Sequence, residues 1–222
     1  MSKKPILRFL LFTALNIHNY SYRAVGKLSP KIETDGLHPK HRLMKYHDWF
    51  IARIQKNWDV LDIGCGSGAL AFDMRPYCKS VTAVDIVKKN IVKAKKTYAA
   101  DGINYICADA VQYDFEKKFN VIVLSNVLEH IENRVEFLKK IFVNQDKNTP
   151  PVLLLRVPMI TRDWISLYKK ELGVEWRLDR THHIEYTLEQ IFDEMAQAGL
   201  EVKEYNIQFG EFYGVIISNK QT

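Results

Sequence analysis

From residue 57 onward the chain alternates short, nearly continuous apolar runs with longer stretches in which apolar positions recur at helical spacing. WDVLDI, SVTAVDI, INYIC, FNVIVLS and PVLLLRV are rich in Val, Ile and Leu. Runs this uniformly apolar suit strands buried on both faces, as in a mainly parallel sheet. Between them, helices are predicted over residues 69–76, 87–100 and 133–144. The βαβ alternation predicts a doubly wound α/β domain.

The end of the chain departs from that rhythm. TLEQIFDEMAQA, residues 187–198, places Leu188, Ile191, Phe192 and Met195 on one helical face, and Gly199 stands where a helix stops. LEVKEYNIQ and EFYGVIIS follow, joined through Gly210, and predict an antiparallel hairpin on one edge of the sheet.

Two regions lie outside the alternation. The first 56 residues form a helical segment with an apolar stretch from Pro5 to Ile17, and they end in HPKHRLMKYHDWFIARI, read as one helix. The second is residues 156–186, inserted between a strand and the helix that should follow it. Connections leaving the carboxyl ends of strands border the ligand crevice in such sheets, so a long insertion there predicts a lid or a substrate wall. The division is therefore 1–56, a helical cover, and 57–222, a catalytic domain with its substrate insertion at 156–186.

Composition changes this picture little, but the placement of charge changes it. The 222 residues are 47% hydrophobic, enough for one well-buried core. Cys65, Cys78 and Cys107 are odd in number, form no CxxC pair, and point to a reducing cytosol without disulfides or zinc. The net charge of +6 belongs to the first 60 residues, which hold 11 Lys and Arg against 4 Asp and Glu; the remainder holds 21 against 22. Basicity spread over the whole surface would point to nucleic acid, and this distribution does not. The apolar positions of residues 1–27, with Lys3, Lys4, Arg8, Arg23 and Lys27, suit a helix lying on an anionic membrane surface. The alternative is a helix packed on its own domain or on a second subunit. The stretch is too short and too polar to span a bilayer, and no signal-peptide cleavage pattern follows it, so a cytoplasmic protein is expected, with contact at the inner face of the membrane.

The chemistry centres on VLDIGCGSGAL at a strand-to-helix junction. Gly64, Gly66 and Gly68 allow a sharp turn and close approach of a ligand, and the helix that follows offers unpaired N–H groups. Gly64, Gly66 and Ala69 also satisfy the looser dinucleotide pattern, so the turn alone does not choose its ligand. Asp85 ends the second strand, where a carboxylate can take both hydroxyls of a ribose, in a dinucleotide or a nucleoside. Asp109 ends the third and could accept from an adenine amino group. Asp62 has no use at a pyrophosphate but suits a ligand with a cationic amino-acid end.

Together DIGCGSG, AVDI, CADA and NVLEHI, with the closing helix and hairpin, resemble the class I S-adenosylmethionine-dependent methyltransferases. The resemblance implies a Rossmann-like, seven-stranded, mostly parallel sheet with an antiparallel C-terminal hairpin, and S-adenosyl-L-methionine as cofactor. Position by position it puts the methionine end on Asp62, Gly64, Gly66 and Gly68, the ribose on Asp85, the adenine on Ile86, Asp109 and Ala110, and the backbone of Ser125 and Asn126 beside the methionine. Lys45, Tyr46 and His47 fall where such enzymes cover the cofactor.

The methyl group of a sulfonium is already activated, so the protein must align a nucleophile and remove its proton. Alignment contributes up to about 7 to 11 kcal/mol, and a general base about 10² to 10⁴-fold. Candidate bases are His182, His183 and Tyr186 in the insertion, and His130 in NVLEHI; adjacent histidines in extended chain point opposite ways, so one of His182 and His183 faces the pocket. Trp164 and Trp176 could stack on a ring. The spacing of these histidines does not indicate a metal site. RVP, RDW and LGVEWRLDRTHHIEYT, with HPKHRLMKYHDWF, also look like a subgroup associated with bacterial surface-glycan assembly, which implies a sugar hydroxyl on a nucleotide- or lipid-linked precursor as acceptor. Alternatives are methylation of another small molecule, quinone- or lipid-like, a nicotinamide-dependent oxidoreductase, or a non-catalytic partner subunit. SNVL stands where an NPPY-like tetrapeptide would mark nucleic-acid methylation, so the partner expected is a small molecule or glycan.

Overall fold

Five parallel strands, β1 (Asp59–Ile63), β2 (Ser80–Asp85), β3 (Ile103–Cys107), β4 (Val121–Ser125) and β5 (Val152–Pro158), carry the predicted apolar runs. The structure is a computed structural model and describes residues 4–34, 38–143, 145 and 150–219. Lys3 of the basic cluster and residue 144, the expected end of a helix, lie outside them. The sheet order is β3-β2-β1-β4-β5-β7-β6, with β7 (Glu211–Ser218) antiparallel to both β5 and β6 (Leu200–Gln208). β6 and β7 are the expected hairpin, closed by Phe209 and Gly210 at φ 51° and 72°. Because β1 pairs with both β2 and β4, the chain reverses its winding there, and the crevice opens at the carboxyl ends of those two strands.

The central strands β1, β2, β4 and β5 are buried almost throughout, whereas β3 and β6 at the edges are partly exposed. Helices cover both faces. On one, Phe50 of α3 (Tyr46–Ile51), Leu70 and Met74 of α4 (Ala69–Met74) and Ile91 of α5 (Lys88–Thr97) pack on the sheet. On the other lie Phe137 and Leu138 of α6 (Arg134–Val143) and Ile191 and Met195 of α8 (Leu188–Gln197). Thr187 caps α8 in a reciprocal capping box with Gln190. α4 ends earlier than its pattern predicts, passing into a 3-10 turn at Arg75–Tyr77 that contains Pro76.

Two expectations change in detail. HPKHRLMKYHDWFIARI is not one helix: Lys45 adopts φ 48°, closes α2 (Lys40–Met44) with its N–H on His41 O, and re-aims the chain so that Tyr46 and Phe50 turn inward. The N-terminal helix α1 (Lys4–Ile32) runs far beyond the apolar stretch, 29 residues or about 44 Å. Its middle docks on the insertion, where Leu15 is buried, Asn19 donates to Glu175 O at 2.7 Å, and the Lys169 Nζ donates to Asn19 Oδ1 at 2.7 Å. Its first two turns, residues 4–10, are exposed. The insertion begins inside β5 and contains α7 (Trp164–Glu171), capped by the Asp163 carboxylate, which accepts from Ser166 N.

Candidate functional site

The three glycines of the turn do three different jobs. Gly64 and Cys65 donate their N–H groups to Val84 O, at 2.7 and 3.0 Å, which folds the turn over the end of β2. A Cβ on Gly64 would lie 2.3 Å from the Val127 side chain, so only glycine lets the two strand ends approach. Gly66 has nothing within 4 Å of such a Cβ; its bare backbone faces the cavity. Gly68 does not line the cavity: a Cβ there would meet Tyr105 Oη at 2.7 Å and Ala94 Cβ at 2.9 Å. Its role is to pack α4 against β3 and α5, which corrects its assignment to the cofactor.

Two cavities meet at Gly64 and Asn126. The larger, about 730 Å³, is lined by Asp85, Ile86, Asp109 and Ala110, as expected for a nucleoside. Asp85 is buried and already braced: Oδ2 accepts from Gly66 N at 2.9 Å, and Oδ1 from Val87 N at 2.8 Å and Asn90 Nδ2 at 3.1 Å. Asp109 Oδ1 accepts from Val111 N at 2.9 Å, leaving its second oxygen for a ligand.

The smaller cavity, about 230 Å³, is floored by Asp62, Gly64, Gly66, Ser125, Asn126 and Arg156 and roofed by Tyr46 and His47. Lys45, expected beside them, does not line it. Three buried polar atoms on its wall have no hydrogen-bond partner: Asp62 Oδ2, Asn126 Oδ1 and Arg156 Nη2. An anionic acceptor and a cationic donor facing one small space fit the ammonium and carboxylate of an amino-acid end, which is the test that S-adenosylmethionine has to meet here. Burial, and then the neighbouring Asp85 charge, push the Asp62 carboxyl up to about 8. Burial, His47 and Lys40 hold His41 down at about 4.

Arg156 anchors this end. Its guanidinium pairs with Glu211, donates to Ser125 Oγ at 3.2 Å and stacks 3.9 Å from the Tyr46 ring centre. Arg156 stands where the predicted strand PVLLLRV and the predicted insertion overlap, and it belongs to β5. Glu211 was missed altogether, although a lone carboxylate opening an otherwise apolar strand was its visible signal. Asn126, at φ 56°, takes the left-handed backbone that asparagine tolerates and gives its Nδ2 to Glu211 at 3.3 Å.

The histidines separate as their adjacency requires. His183 lines the larger cavity together with His130 and Thr181. His182 turns inward: its Nδ1 lies 3.1 Å from Glu185 Oε1 and its Nε2 4.0 Å from Glu129 Oε1. Tyr186 is not at the cavity. It is fully buried in the core and donates to Glu194 Oε2 at 2.9 Å, which removes it from the catalytic candidates. Trp164 is 71% exposed, and Trp176 lines a cleft between α1 and the insertion. Glu129, beside His130 in NVLEHI, is completely buried and had not been singled out.

A family model described as a methyltransferase domain matches residues 61–142, the span from β1 to α6. The ubiquinone biosynthesis O-methyltransferase of Rickettsia canadensis is 25% identical over 150 residues, covering 66% of this chain and 64% of that one. The chain thus spans a little under two thirds of that curated relative. Nodulation protein S of Sinorhizobium fredii is 33% identical over 76 residues, 34% of this chain and 35% of its own. Among solved structures, the N-methyltransferase NodS of Bradyrhizobium japonicum, in complex with S-adenosyl-L-homocysteine, superposes with a TM-score of 0.60 at 16% identity over 88% of this chain and 96% of that one.

Proposed function

We propose that this chain is an S-adenosylmethionine-dependent methyltransferase, a reading supported by its matched methyltransferase domain and its fold, and that it methylates a hydroxyl oxygen of a sugar carried on a nucleotide- or lipid-linked precursor. The observation that carries the reading is the junction of two cavities: the pocket at Asp62 and Arg156 meets the Asp85 and Asp109 cavity at Gly64 and Asn126. Bound S-adenosylmethionine supplies the activated methyl group. Asp62 and Arg156 would hold its amino-acid end, Asp85 its ribose, and Asp109 its base. Tyr46 and His47 roof the methionine pocket and exclude water from it. His183, which lines the larger cavity, would take the proton of the acceptor hydroxyl as that oxygen is methylated.

Asn126, His130, Glu132, Asn133, Thr181 and His183 are among the residues lining this cavity, and their donors and acceptors suit a polyhydroxylated acceptor. A second reading, a quinone- or lipid-like acceptor, draws support from the exposed apolar turns of α1 and from the name of the Rickettsia relative. The first test is calorimetry with S-adenosyl-L-homocysteine: binding is expected, and a parent protein that shows none overturns the proposal. The second is methyl transfer from labelled cofactor to a nucleotide-sugar panel and to a polyprenylated quinol, the acceptor class following from which is labelled. His183→Ala is expected to lower turnover far more than cofactor affinity.

A further inference from the structure

We propose that Glu129, His130 and His182 form a binding site for a divalent transition-metal ion at the acceptor side of the cavity. One ligand atom from each, two imidazole nitrogens and a carboxylate oxygen, lies within 4.8 Å of the other two. The carboxylate is the decisive feature. Glu129 has no exposed surface, and neither of its oxygens has a hydrogen-bond partner. A buried carboxylate with nothing to bond is costly, and a cation held between it and two imidazoles would offset that cost.

The two rings are already set up as metal ligands are. His182 Nδ1 is tied to Glu185 Oε1, and Glu185 is itself buried and fixed by Arg162 and the Leu178 N–H, which leaves Nε2 on the side of Glu129. His130 Nδ1 is tied to Thr181 Oγ1 at 3.0 Å, and that hydroxyl donates to Asp179 Oδ1 at 2.8 Å. A histidine whose second nitrogen is engaged by an oxygen has its tautomer and orientation set for coordination through the first. The backbone joins the two segments as well, since His183 N donates to Glu129 O at 2.8 Å.

Two imidazoles and one carboxylate favour Zn²⁺, Mn²⁺, Fe²⁺ or Co²⁺ over Mg²⁺ or Ca²⁺, and three protein ligands leave positions open. His130 lines the cavity beside His183, so an open position there would face the acceptor. An acceptor hydroxyl bound at that position would give up its proton to His183 more readily. This second role rests on the methyltransferase reading; metal binding itself does not. Sequence spacing could not reveal the site, because its ligands come from a turn after β4 and from the far end of the insertion.

The test uses the full chain, stripped with chelator and titrated with Zn²⁺ by calorimetry and with Co²⁺ by visible absorption. One site per chain is expected, with a Co²⁺ spectrum of a nitrogen- and oxygen-ligated ion. His130→Ala and His182→Ala should each weaken binding by more than about 100-fold, and Glu185→Gln, an outer-shell change, by about 10 to 100-fold. Glu129→Gln keeps the shape of the side chain and should also abolish binding, with thermal melts confirming the fold. No binding tighter than about 1 mM, or binding unaltered in both histidine variants, overturns the proposal. Calorimetry with S-adenosyl-L-homocysteine on the same samples separates the two readings: homocysteine-cofactor binding without metal binding removes only the metal site, and the reverse removes only the methyltransferase assignment.

Discussion

Gly66 donates its backbone N–H to the Asp85 carboxylate at 2.9 Å, so the residue proposed to take the ribose also holds the glycine turn. On the proposed reading Asp85 acts twice, once on the ligand and once on the loop. Asp85→Ala should weaken S-adenosyl-L-homocysteine binding by more than about 100-fold, the loss of two charge-assisted hydrogen bonds. It should also lower stability by about 1.5 to 3 kcal/mol, because Gly66, Val87 and Asn90 lose their acceptor. Calorimetry and urea unfolding measure the two effects; intact binding in this variant would move the ribose elsewhere.

The division of labour among the glycines gives a second, separable outcome. Gly68→Ala drives a Cβ into Tyr105 and Ala94 at φ 91°, and should cost about 1 to 3 kcal/mol of stability. Gly66→Ala meets no atom of the protein, so its cost to folding is about 1 to 2 kcal/mol from the left-handed backbone alone. Its methyl group projects toward the ligand and should reduce cofactor affinity more than Gly68→Ala does. Thermal melts and cofactor titrations on the two variants, ranked in opposite order, check the assignment.

The fold was legible because its signals are local. Continuous apolar runs specify buried strands, Thr187 with Gln190 specifies a capped helix, and the glycine turn with Asp62, Asp85 and Asp109 specifies one edge of a crevice. What escaped was long-range. Nothing in the neighbourhood of Glu211 says that its partner is Arg156, since only the antiparallel insertion of β7 beside β5 brings them together. Tyr186 and His183 look equally available in sequence, but the isolated bridge between Met159 and Tyr186 draws the tyrosine into the core and leaves the histidine at the rim. Lys45 shows the same limit on a smaller scale, because nothing local announces that a lysine adopts φ 48° and breaks a helical pattern in two.

Asp62 makes stability and cofactor binding depend on pH. Its carboxyl is raised to about 8 by burial and by Asp85, whereas the unfolded chain releases that proton near 3.9. In the cofactor-free protein the stabilisation from this group is fully present below about 3.9 and is lost as pH rises through about 8. The cofactor ammonium favours the ionised form, so binding near neutrality should release a proton. Calorimetry in two buffers of different ionisation enthalpy reads that proton directly. Asp62→Asn should remove it, and should flatten the difference in unfolding midpoint between pH 5 and pH 8 relative to the parent.

Arg156 and Glu211 form a buried ion pair against Tyr46 and Tyr213. Removing one partner leaves a buried charge, so Glu211→Ala should destabilise by about 3 to 5 kcal/mol. The double variant Arg156→Met, Glu211→Leu replaces the pair with apolar groups and should recover most of that stability. It should not recover cofactor binding, because the guanidinium lines the smaller cavity, proposed above to hold the amino-acid end of the cofactor, and has a free donor there. Recovery of both would show that the pair is structural only.

The α1 helix carries the one partner claim that the body of the domain does not explain. Residues 1–32 contain no acidic side chain, while Arg8, Arg23, Lys27 and Lys31 carry positive charge along the helix. Ile6, Leu7, Phe9 and Leu10 are exposed on the first turns of the helix, Phe9 to 70%. Among the described residues no helix is long and apolar enough to cross a membrane. Apolar side chains with flanking cations and no anions suit a helix lying in the interface of an anionic bilayer, each cation near the surface adding about 1 kcal/mol. Vesicles containing phosphatidylglycerol should float with the protein, neutral vesicles should not, and added salt should release it. Ile6→Ser combined with Phe9→Ser should abolish flotation while leaving cofactor binding intact, since Leu15 and Asn19 still dock the helix on the insertion. Flotation unchanged in that variant would assign the exposed turns to another partner, and a shift from dimer to monomer on dilution would identify it as a second copy of the chain.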